Sequence, residues 1–169
     1  MNNYILKTPR LTLRNFARED AESMFQLNAD PEVIRYTGDE SFVSCEEVLK
    51  FILNYDRYIR YGYGRWTMIH GETLEYLGWC GLNYNEDSKE TDLGFRLMKK
   101  FWGNGYASEA AKECLNYGFN HLGLRKIIGR ALVENTASIR VLTKLGMKFE
   151  KEFEAHGSKA QQYFIKREK

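Results

Sequence analysis

The feature that most constrains the fold is a change in hydrophobic period on either side of two glycines. Residues 91–98 form a strand-like run, whereas residues 107–122 carry apolar side chains at helical spacing. Gly103 and Gly105 lie in the turn between them. Glycine accepts unusual backbone dihedrals and lets a ligand approach the main chain, and the free amides at a helix start attract anions. The segment therefore predicts a strand, an anion-binding turn and a helix, in that order.

The anion that best suits this turn is a diphosphate, because Lys99 and Lys100 add positive charge just before it. Considered by themselves, the two glycines are more typical of a tight strand-to-helix turn beside solvated lysines than of a diphosphate site. Two known phosphate loops are excluded. A Walker loop requires Gly-Lys-Ser/Thr, but Gly105 is followed by a tyrosine; a dinucleotide fingerprint requires an acid about 20 residues further on, where residues 123–125 offer none.

Hydrophobic periodicity divides the rest of the chain into further elements. Strands are predicted at 11–14, 65–69, 76–83, 126–133, 148–154 and 161–166, and helices at 19–31, 44–62 and 136–145. In the second helix, Ser44 and Glu47 have capping-box spacing, apolar residues recur as far as Ile59, and Gly62 is placed to end it. The mixture predicts an α/β (α+β) domain of three layers, whose mixed central sheet of about six to seven strands is splayed in the middle and flanked by about four helices.

Composition narrows the classes of protein that remain. The chain has 169 residues, 43% of them hydrophobic and 28% charged, which suits one globular domain spanning 1–169. No apolar run approaches the roughly 20 residues of a membrane helix, and no signal peptide is recognised, so a cytoplasmic protein without a membrane partner is expected. The formal net charge of +2 and the scattered lysines and arginines give no reason to expect direct nucleic-acid binding.

Cysteines and histidines give no sign of a metal centre. Cys45, Cys80 and Cys114 lie far apart, without a C-x-x-C pair, and the three histidines have no ligand-type spacing. Reduced, partly buried thiols and no metal are therefore expected. Reactive thiols need open, electropositive surroundings, whereas Cys80 and Cys114 sit in apolar patterns, which disfavours a cysteine relay.

Three segments together resemble the GNAT superfamily of N-acetyltransferases, which use acetyl-coenzyme A (acetyl-CoA). The family signature, Arg/Gln-x-x-Gly-x-Gly/Ala, is matched by residues 100–105, with Lys100 in the place of the arginine or glutamine. Residues 8–14 (TPRLTLR), 102–110 (WGNGYASEA) and 135–147 are similar to the Rim-type subgroup, which contains the ribosomal-protein N-terminal acetyltransferases. Each segment is weak alone. Together they span most of the chain and outweigh the interpretation of the glycines as a simple turn.

The resemblance implies a GNAT-like fold with an acetyl-CoA site on the strand and the turn. In that architecture, amides of residues 103–108 hold the diphosphate, and the strand at 92–98 pairs with the pantetheine arm where it splays from the strand at 126–133. The residues assigned to the cofactor in this way are Leu97, Met98, Lys100, Trp102, Gly103, Asn104, Gly105, Tyr106, Ala107, Ser108 and Asn135. Asn135 is equally consistent with a helix N-cap.

The resemblance also implies direct attack of an amine on the thioester in a ternary complex. A backbone amide near Leu97 would polarise the thioester carbonyl. Asp92 and Glu134 are candidates to accept the amine proton, although each also fits a solvated charge near a strand end. Many relatives have a tyrosine that acts as the general acid where this chain has Leu142. Ser138 is therefore the substitute candidate for protonating the leaving thiolate. Ser138 is also consistent with an ordinary hydroxyl in the first turn of a helix.

The acceptor amine is left open by the sequence. In relatives the connection between the first two helices shapes the acceptor site, and here residues 31–43 supply Tyr36, Asp39 and Phe42 as candidate substrate residues. Asp39 would attract a cationic amine, but it also fits a solvated loop acid. A protein N-terminus, a polyamine, an aminoglycoside-like drug and other small amines all stay open, as do a monomer and a homodimer. The alternative function is a non-catalytic acyl-CoA sensor, since the tyrosine is missing at Leu142.

Overall fold

In the computed structural model, which describes residues 4–168, eight strands form one mixed sheet. The strands are β1 (Tyr4–Lys7), β2 (Leu11–Arg14), β3 (Arg65–His70), β4 (Tyr76–Asn85), β5 (Glu90–Leu97), β6 (Lys126–Leu132), β7 (Lys148–Ala155) and β8 (Ser158–Lys166). They pair in the order β1-β2-β3-β4-β5-β6-β8-β7, and only the β5–β6 pair is parallel. The predicted mixed α/β architecture is confirmed.

Six helices accompany the sheet in this part of the chain. They are α1 (Ala21–Ala29), α2 (Pro31–Ile34), α3 (Cys45–Leu53), α4 (Arg57–Tyr61), α5 (Tyr106–Asn120) and α6 (Thr136–Lys144). None of them is long and apolar enough to cross a membrane. The long helix α5 is the crossover between the two parallel strands, as the change in hydrophobic period predicted.

The alternation of side chains in the strands decides which helices cover which face. In β3, the buried Trp66 contacts Tyr117 of α5, with ring centroids 5.5 Å apart. Its neighbour Thr67 points to the opposite face and donates to Asp20, directly before α1. Helix α5 therefore covers one face of the sheet, and α1 with its neighbours covers the other.

Two parts of the prediction differ from the structure. The strand β1 was missed, because it is a four-residue edge strand that pairs only with β2. The prediction of one helix from Ser44 to Gly62 is wrong: α3 ends at Leu53, α4 begins at Arg57, and Ile59, which was expected on the packed face, is 90% exposed. The break contains an asparagine and an aspartate, whose side chains compete with helical hydrogen bonds.

The splay that the sequence predicted in the middle of the sheet is present. Strands β5 and β6 pair at only two positions, Asp92 with Ile128 and Leu93 with Gly129. Beyond Leu93, β5 stays paired with β4 as far as Leu97 but has lost its partner on the other side. This gap between two parallel strands is where the candidate site lies.

Candidate active site

The turn between β5 and α5 presents backbone amides without a side-chain cap. Gly103 and Gly105 adopt φ values of +75° and +79°, the left-handed region that favours glycine. Gly105 is the N-cap of α5 and has no side chain to bond the amides of the first helical turn. A Cβ at Gly103 would meet nothing within 4 Å, so the turn is open on that side. The open amides and the helix dipole make this turn suited to an anion.

The polar side chains of the turn contact protein groups. Trp102 Nε1 donates to the carbonyl of Leu97 at 2.9 Å, and Asn104 Nδ2 donates to the carbonyl of Phe101 at 3.2 Å. Lys100 Nζ lies 3.1 Å from Glu75 Oε1 at the β3–β4 hairpin, in an exposed ion pair. These contacts fix the shape of the turn, and its backbone amides are the groups that could bind an anion.

The free side of β5 continues from this turn along the gap. The amide of Met98 donates to Leu77 of β4 at 2.9 Å. Successive residues of a strand point their N–H groups to opposite sides, so the N–H of Leu97 faces the gap. The Leu97 amide is therefore not used by the β4–β5 pairing and faces the gap.

An N-terminal segment anchors the start of α5. Glu109 Oε1 accepts from Thr8 Oγ1 at 2.6 Å and from the Arg10 amide at 2.9 Å, while its Oε2 pairs with Arg10 Nε at 2.7 Å. Arg10 then donates through Nη1 to the carbonyl of Asn104 at 2.9 Å and lies over the ring of Tyr106. The TPR opening noted in the sequence thus holds the glycine turn in place.

Replacing Glu109 with glutamine is expected to lower the free energy of unfolding by about 1 kcal/mol at pH 7. Burial raises the pKa of Glu109, but the hydrogen bonds from Thr8 and Arg10 outweigh it, and the net pKa is lowered. The carboxylate's contribution is therefore present above the ordinary titration range of a glutamate and is lost as pH falls through the folded pKa. Urea unfolding at pH 7 and in acid measures the loss in the free energy of unfolding and its dependence on pH.

The control for that experiment is Glu113→Gln, one turn further along α5. Glu113 makes no hydrogen bond with the described residues. Its substitution is expected to change stability by less than about 0.5 kcal/mol at either pH. Equal losses for the two variants, or a Glu109→Gln loss that persists in acid, would contradict the anchoring role of Glu109.

A cavity of about 430 Å³ runs through the gap between β5 and β6. It is lined from one face by α6 and from the other by the α2–α3 loop and the β7–β8 turn. The lining residues are Tyr36, Thr37, Arg65, Trp79, Asp92, Leu93, Gly94, Phe95, Arg96, Arg130, Ala131, Leu132, Asn135, Ser138, Leu142, Phe153, Ala155, His156 and Ala160. Residues from both faces of the sheet therefore line the cavity, and the glycine turn, which is not part of the lining, lies at the end of β5.

Asp92 lines this cavity, where it is held by Arg65. Arg65 Nη2 lies 2.7 Å from Asp92 Oδ2, and its Nη1 donates to the carbonyls of Gly81 and Asp92. The guanidinium crosses β4 and β5 at Gly81 and Gly94, and a Cβ at Gly94 would lie 2.6 Å from it. Two glycines in register thus make the passage that brings arginine and aspartate together.

The other predicted catalytic residues lie around the start of α6. Asn135 is the N-cap of α6, and its side chain accepts from the Ser138 amide at 3.2 Å. Both residues line the cavity, whereas Glu134 is exposed and does not. Leu142 lines the cavity with its alkyl side chain, packed 2.7 Å from where a Cβ of Gly129 would stand.

The structure brings only part of the predicted acceptor set together. Tyr36 lines the cavity. Asp39 forms an ion pair of 2.7 Å with Arg96, whose side chain lies in the cavity wall. Phe42 packs against the apolar cluster of α1 and α3, with its ring centroid 5.9 Å from that of Phe51, and is not part of the lining.

Several lining residues were not found from the sequence. Trp79 and Arg96 lie on β4 and β5 with side chains that share one face, and His156 sits at the β7–β8 turn with its ring against Gly38. No local motif marks them, although the period-2 alternation of β5 places Arg96 on the same face as Asp92. Within the described residues, no group of three or more His, Cys, Asp or Glu could hold a metal ion.

Comparison with known proteins agrees with this geometry. Residues 10–148 match the family described as the acetyltransferase (GNAT) domain. The chain is 36% identical over 149 residues to the uncharacterized N-acetyltransferase p20 of Bacillus licheniformis, covering 87% of this chain and 83% of the relative. It superposes on a GNAT-family acetyltransferase from Bacillus anthracis with a TM-score of 0.83 and 28% identity, covering 95% and 97% of the two chains.

A third similar structure is spermidine N-acetyltransferase from Vibrio cholerae, solved in complex with CoA and spermine. Its TM-score is 0.77 at 21% identity, with 92% of this chain and 95% of that one covered. At this identity the likeness concerns the fold. The family match, the identity to p20 and the splayed β5–β6 pair lead to one conclusion: this chain belongs to the GNAT family and is an acetyltransferase.

Proposed function

We propose that this chain, acting as a single domain, transfers the acetyl group of acetyl-CoA to a primary amine by direct attack in a ternary complex. The observation that carries the proposal is the cavity in the β5–β6 gap, which is lined by residues from both faces of the sheet. One substrate can therefore approach from the side of α6 while the other approaches from the α2–α3 loop. Direct transfer requires two reactants held together in this way.

Acetyl-CoA is the donor that the residues fit. The uncapped amides after Gly105 suit a diphosphate, and the open space at Gly103 leaves room for it. The free edge of β5 offers main-chain groups to the pantetheine arm, with Asn135 on the opposite wall. The similar spermidine N-acetyltransferase of Vibrio cholerae was solved with CoA, which supports this choice.

Three groups of this chain have roles in the transfer. The Leu97 amide polarises the thioester carbonyl. The amine nitrogen bonds to the carbonyl carbon. Because Asp92 lies five residues along β5 from Leu97, the amine proton passes to water, which relays it to Asp92, whose Oδ1 accepts no hydrogen bond from the described residues. The carbon–sulfur bond breaks, the thiolate takes a proton from the Ser138 hydroxyl, and the serine oxygen takes one from water; the hydroxide so formed is neutralised by the proton that Asp92 releases. We assign no transfer step to Glu134, because it lies outside the cavity lining.

Replacing Ser138 with alanine is expected to lower kcat by about 100-fold, the lower end of the range of general acid catalysis. The fold should persist, because the Asn135 cap bonds the backbone amide and not the hydroxyl. Thr143→Ala is the matched control: its hydroxyl bonds the carbonyls of Ile139 and Arg140, and it is exposed on the same helix. Full activity of Ser138→Ala would remove Ser138 from the mechanism.

The function itself is tested by thiol release from acetyl-CoA with a panel of primary amines, next to calorimetric titration with acetyl-CoA. Acetylation of at least one amine, with formation of the amide, is the expected outcome. Binding of acetyl-CoA without turnover of any amine would instead favour the acyl-CoA sensor. Absence of both binding and turnover would contradict the assigned donor.

A further inference from the structure

The cavity contains an arginine whose ion-pair partner is an exposed loop residue. We propose that the acceptor amine carries an anionic group, a carboxylate or a phosphate, and that this group binds Arg96 in the place that Asp39 occupies. The inference rests on the proposed function, since it assigns the acceptor of the same site. It is carried by the contacts of Arg96, by the exposure of Asp39 and by the charges of the lining.

Arg96 is held firmly on its inner side. Its side chain is only 12% exposed, and the guanidinium lies 5.2 Å from the centroid of the Trp79 ring. Its Nη1 donates to Oδ1 of the buried Asn28, whose own Nδ2 donates to the Met24 carbonyl at 2.8 Å. The neutral amide orients the guanidinium without cancelling its charge, so an anion is still needed on the outer side.

Asp39 supplies that anion from a loop. Its Oδ2 lies 2.7 Å from Arg96 Nη2, but its side chain is 57% exposed. It follows Gly38, which has a φ of +73°, in the connection between α2 and α3. An exposed carboxylate can return to water at little cost, because it is already largely solvated. An incoming carboxylate or phosphate can then accept the charge-assisted hydrogen bond that Arg96 Nη2 now gives to Asp39.

The other charged groups of the lining favour an anion over a polycation. Three arginines line the cavity, whereas Asp92 is the one carboxylate among its described lining residues. Asp92 is paired with Arg65 at 2.7 Å, and Arg130 with Glu90 at 3.3 Å. Once Asp39 leaves, Arg96 is the uncompensated charge. A polyamine would find only Asp92, whose charge is already compensated by Arg65, whereas an anionic group finds an oriented guanidinium.

The experiment compares primary amines that differ only in the anionic group. The pairs are 4-aminobutyrate with butylamine and glucosamine 6-phosphate with glucosamine, and spermidine serves as the polycation. We expect kcat/KM to be about tenfold or more higher for the anionic member of at least one pair, as for a charge-assisted hydrogen bond. An effect in the 4-aminobutyrate pair indicates a carboxylate, and an effect in the glucosamine 6-phosphate pair indicates a phosphate.

Two substitutions give opposite expectations. Arg96→Gln should bring the ratio of kcat/KM between the two members of a pair to about one, and Arg96→Lys, which keeps the charge, should retain part of the preference. Asp39→Asn should lower the KM of the anionic amine, because it removes the competing carboxylate. Arg60→Gln, which breaks an exposed ion pair with Glu86, is the matched control. It should change neither the preference for the anionic amine nor the KM of that amine.

The inference is overturned if spermidine or the neutral amines are preferred and Asp39→Asn raises their KM, since Asp39 would then recruit cations. Failure of the proposed function looks different, because no amine is then acetylated. For that case, calorimetry with CoA present measures binding of the same pairs without turnover. Arg96-dependent binding of the anionic member supports the inference, and equal binding of both members overturns it.

Discussion

Replacing Gly103 with glutamate is expected to weaken acetyl-CoA binding by at least about 100-fold, or about 2.7 kcal/mol. The space at Gly103 is open, so the new Cβ meets no protein atom within 4 Å. It places a negative charge beside the uncapped amides of α5, where it competes with the diphosphate and repels it. The φ of +75° adds strain for any residue with a Cβ. Calorimetric titration of acetyl-CoA into the wild type and the variant measures the loss.

The structure offers a matched control at the other end of α5. Gly123 also has a positive φ, +68°, and also has nothing within 4 Å of a Cβ. Gly123→Glu therefore adds the same charge and a similar backbone strain, away from the turn. Its affinity for acetyl-CoA is expected to stay within about threefold of wild type. Equal losses at both positions would mean that strain or global charge, and not the turn, controls binding.

Removing the charge of Arg65 is expected to produce the second large effect, on stability. Arg65→Met should lower the free energy of unfolding by about 3 kcal/mol, because it leaves Asp92 in the cavity wall without its cation. The side chains of the pair are 17% and 22% exposed, so solvent replaces little of the lost contact. Two carbonyls also lose a donor. Urea unfolding followed by circular dichroism is the measurement.

A double-mutant cycle separates the pair from its surroundings. Asp92→Asn removes the carboxylate charge, and the double variant Arg65→Met, Asp92→Asn removes both charges. If the ion pair accounts for the loss, the double variant is expected to be more stable than the sum of the single changes implies, with a coupling of about 1–3 kcal/mol. Additive losses would show that Arg65 acts through packing against Trp79 instead. Activity of Asp92→Asn in the same series tests its role as proton acceptor.

Much of the fold follows from patterns that lie close together in the sequence. The change of period around Gly103 and Gly105 predicts β5, the turn and α5, and the structure contains all three. Local signals also end the elements, since Gly62, predicted as a helix stop, ends α4 with a φ of +78°. These local signals do not show whether a helix continues without a break. The stretch from Ser44 to Gly62 breaks near Asn54 although apolar residues continue in register.

The two parts of the candidate site also differ in how far the sequence predicts them. The glycine turn is a single local segment, so the anion site proposed there can be predicted from contiguous residues and the family signature that they match. The acceptor side cannot, because it is made by residues distant in the chain: Asp39 and Arg96 are 57 positions apart, and Asn28 and Arg96 are 68 apart. Considered from the sequence alone, Asp39 suggests attraction of a cationic amine. In the structure it pairs with Arg96, and the proposed anionic group of the acceptor would take its place.

The sequence by itself determined most of the order of strands and helices, the glycine turn between β5 and α5 and the resemblance to acetyltransferases, because each depends on side-chain period or on a short contiguous motif. Only the tertiary structure decided where charges meet. Strand register placed Arg65 across Gly81 and Gly94 against Asp92, and the packing of α1 on the sheet set Asn28 behind Arg96. Charge compensation depends on distances of a few ångströms between residues remote in the chain, which no local pattern encodes.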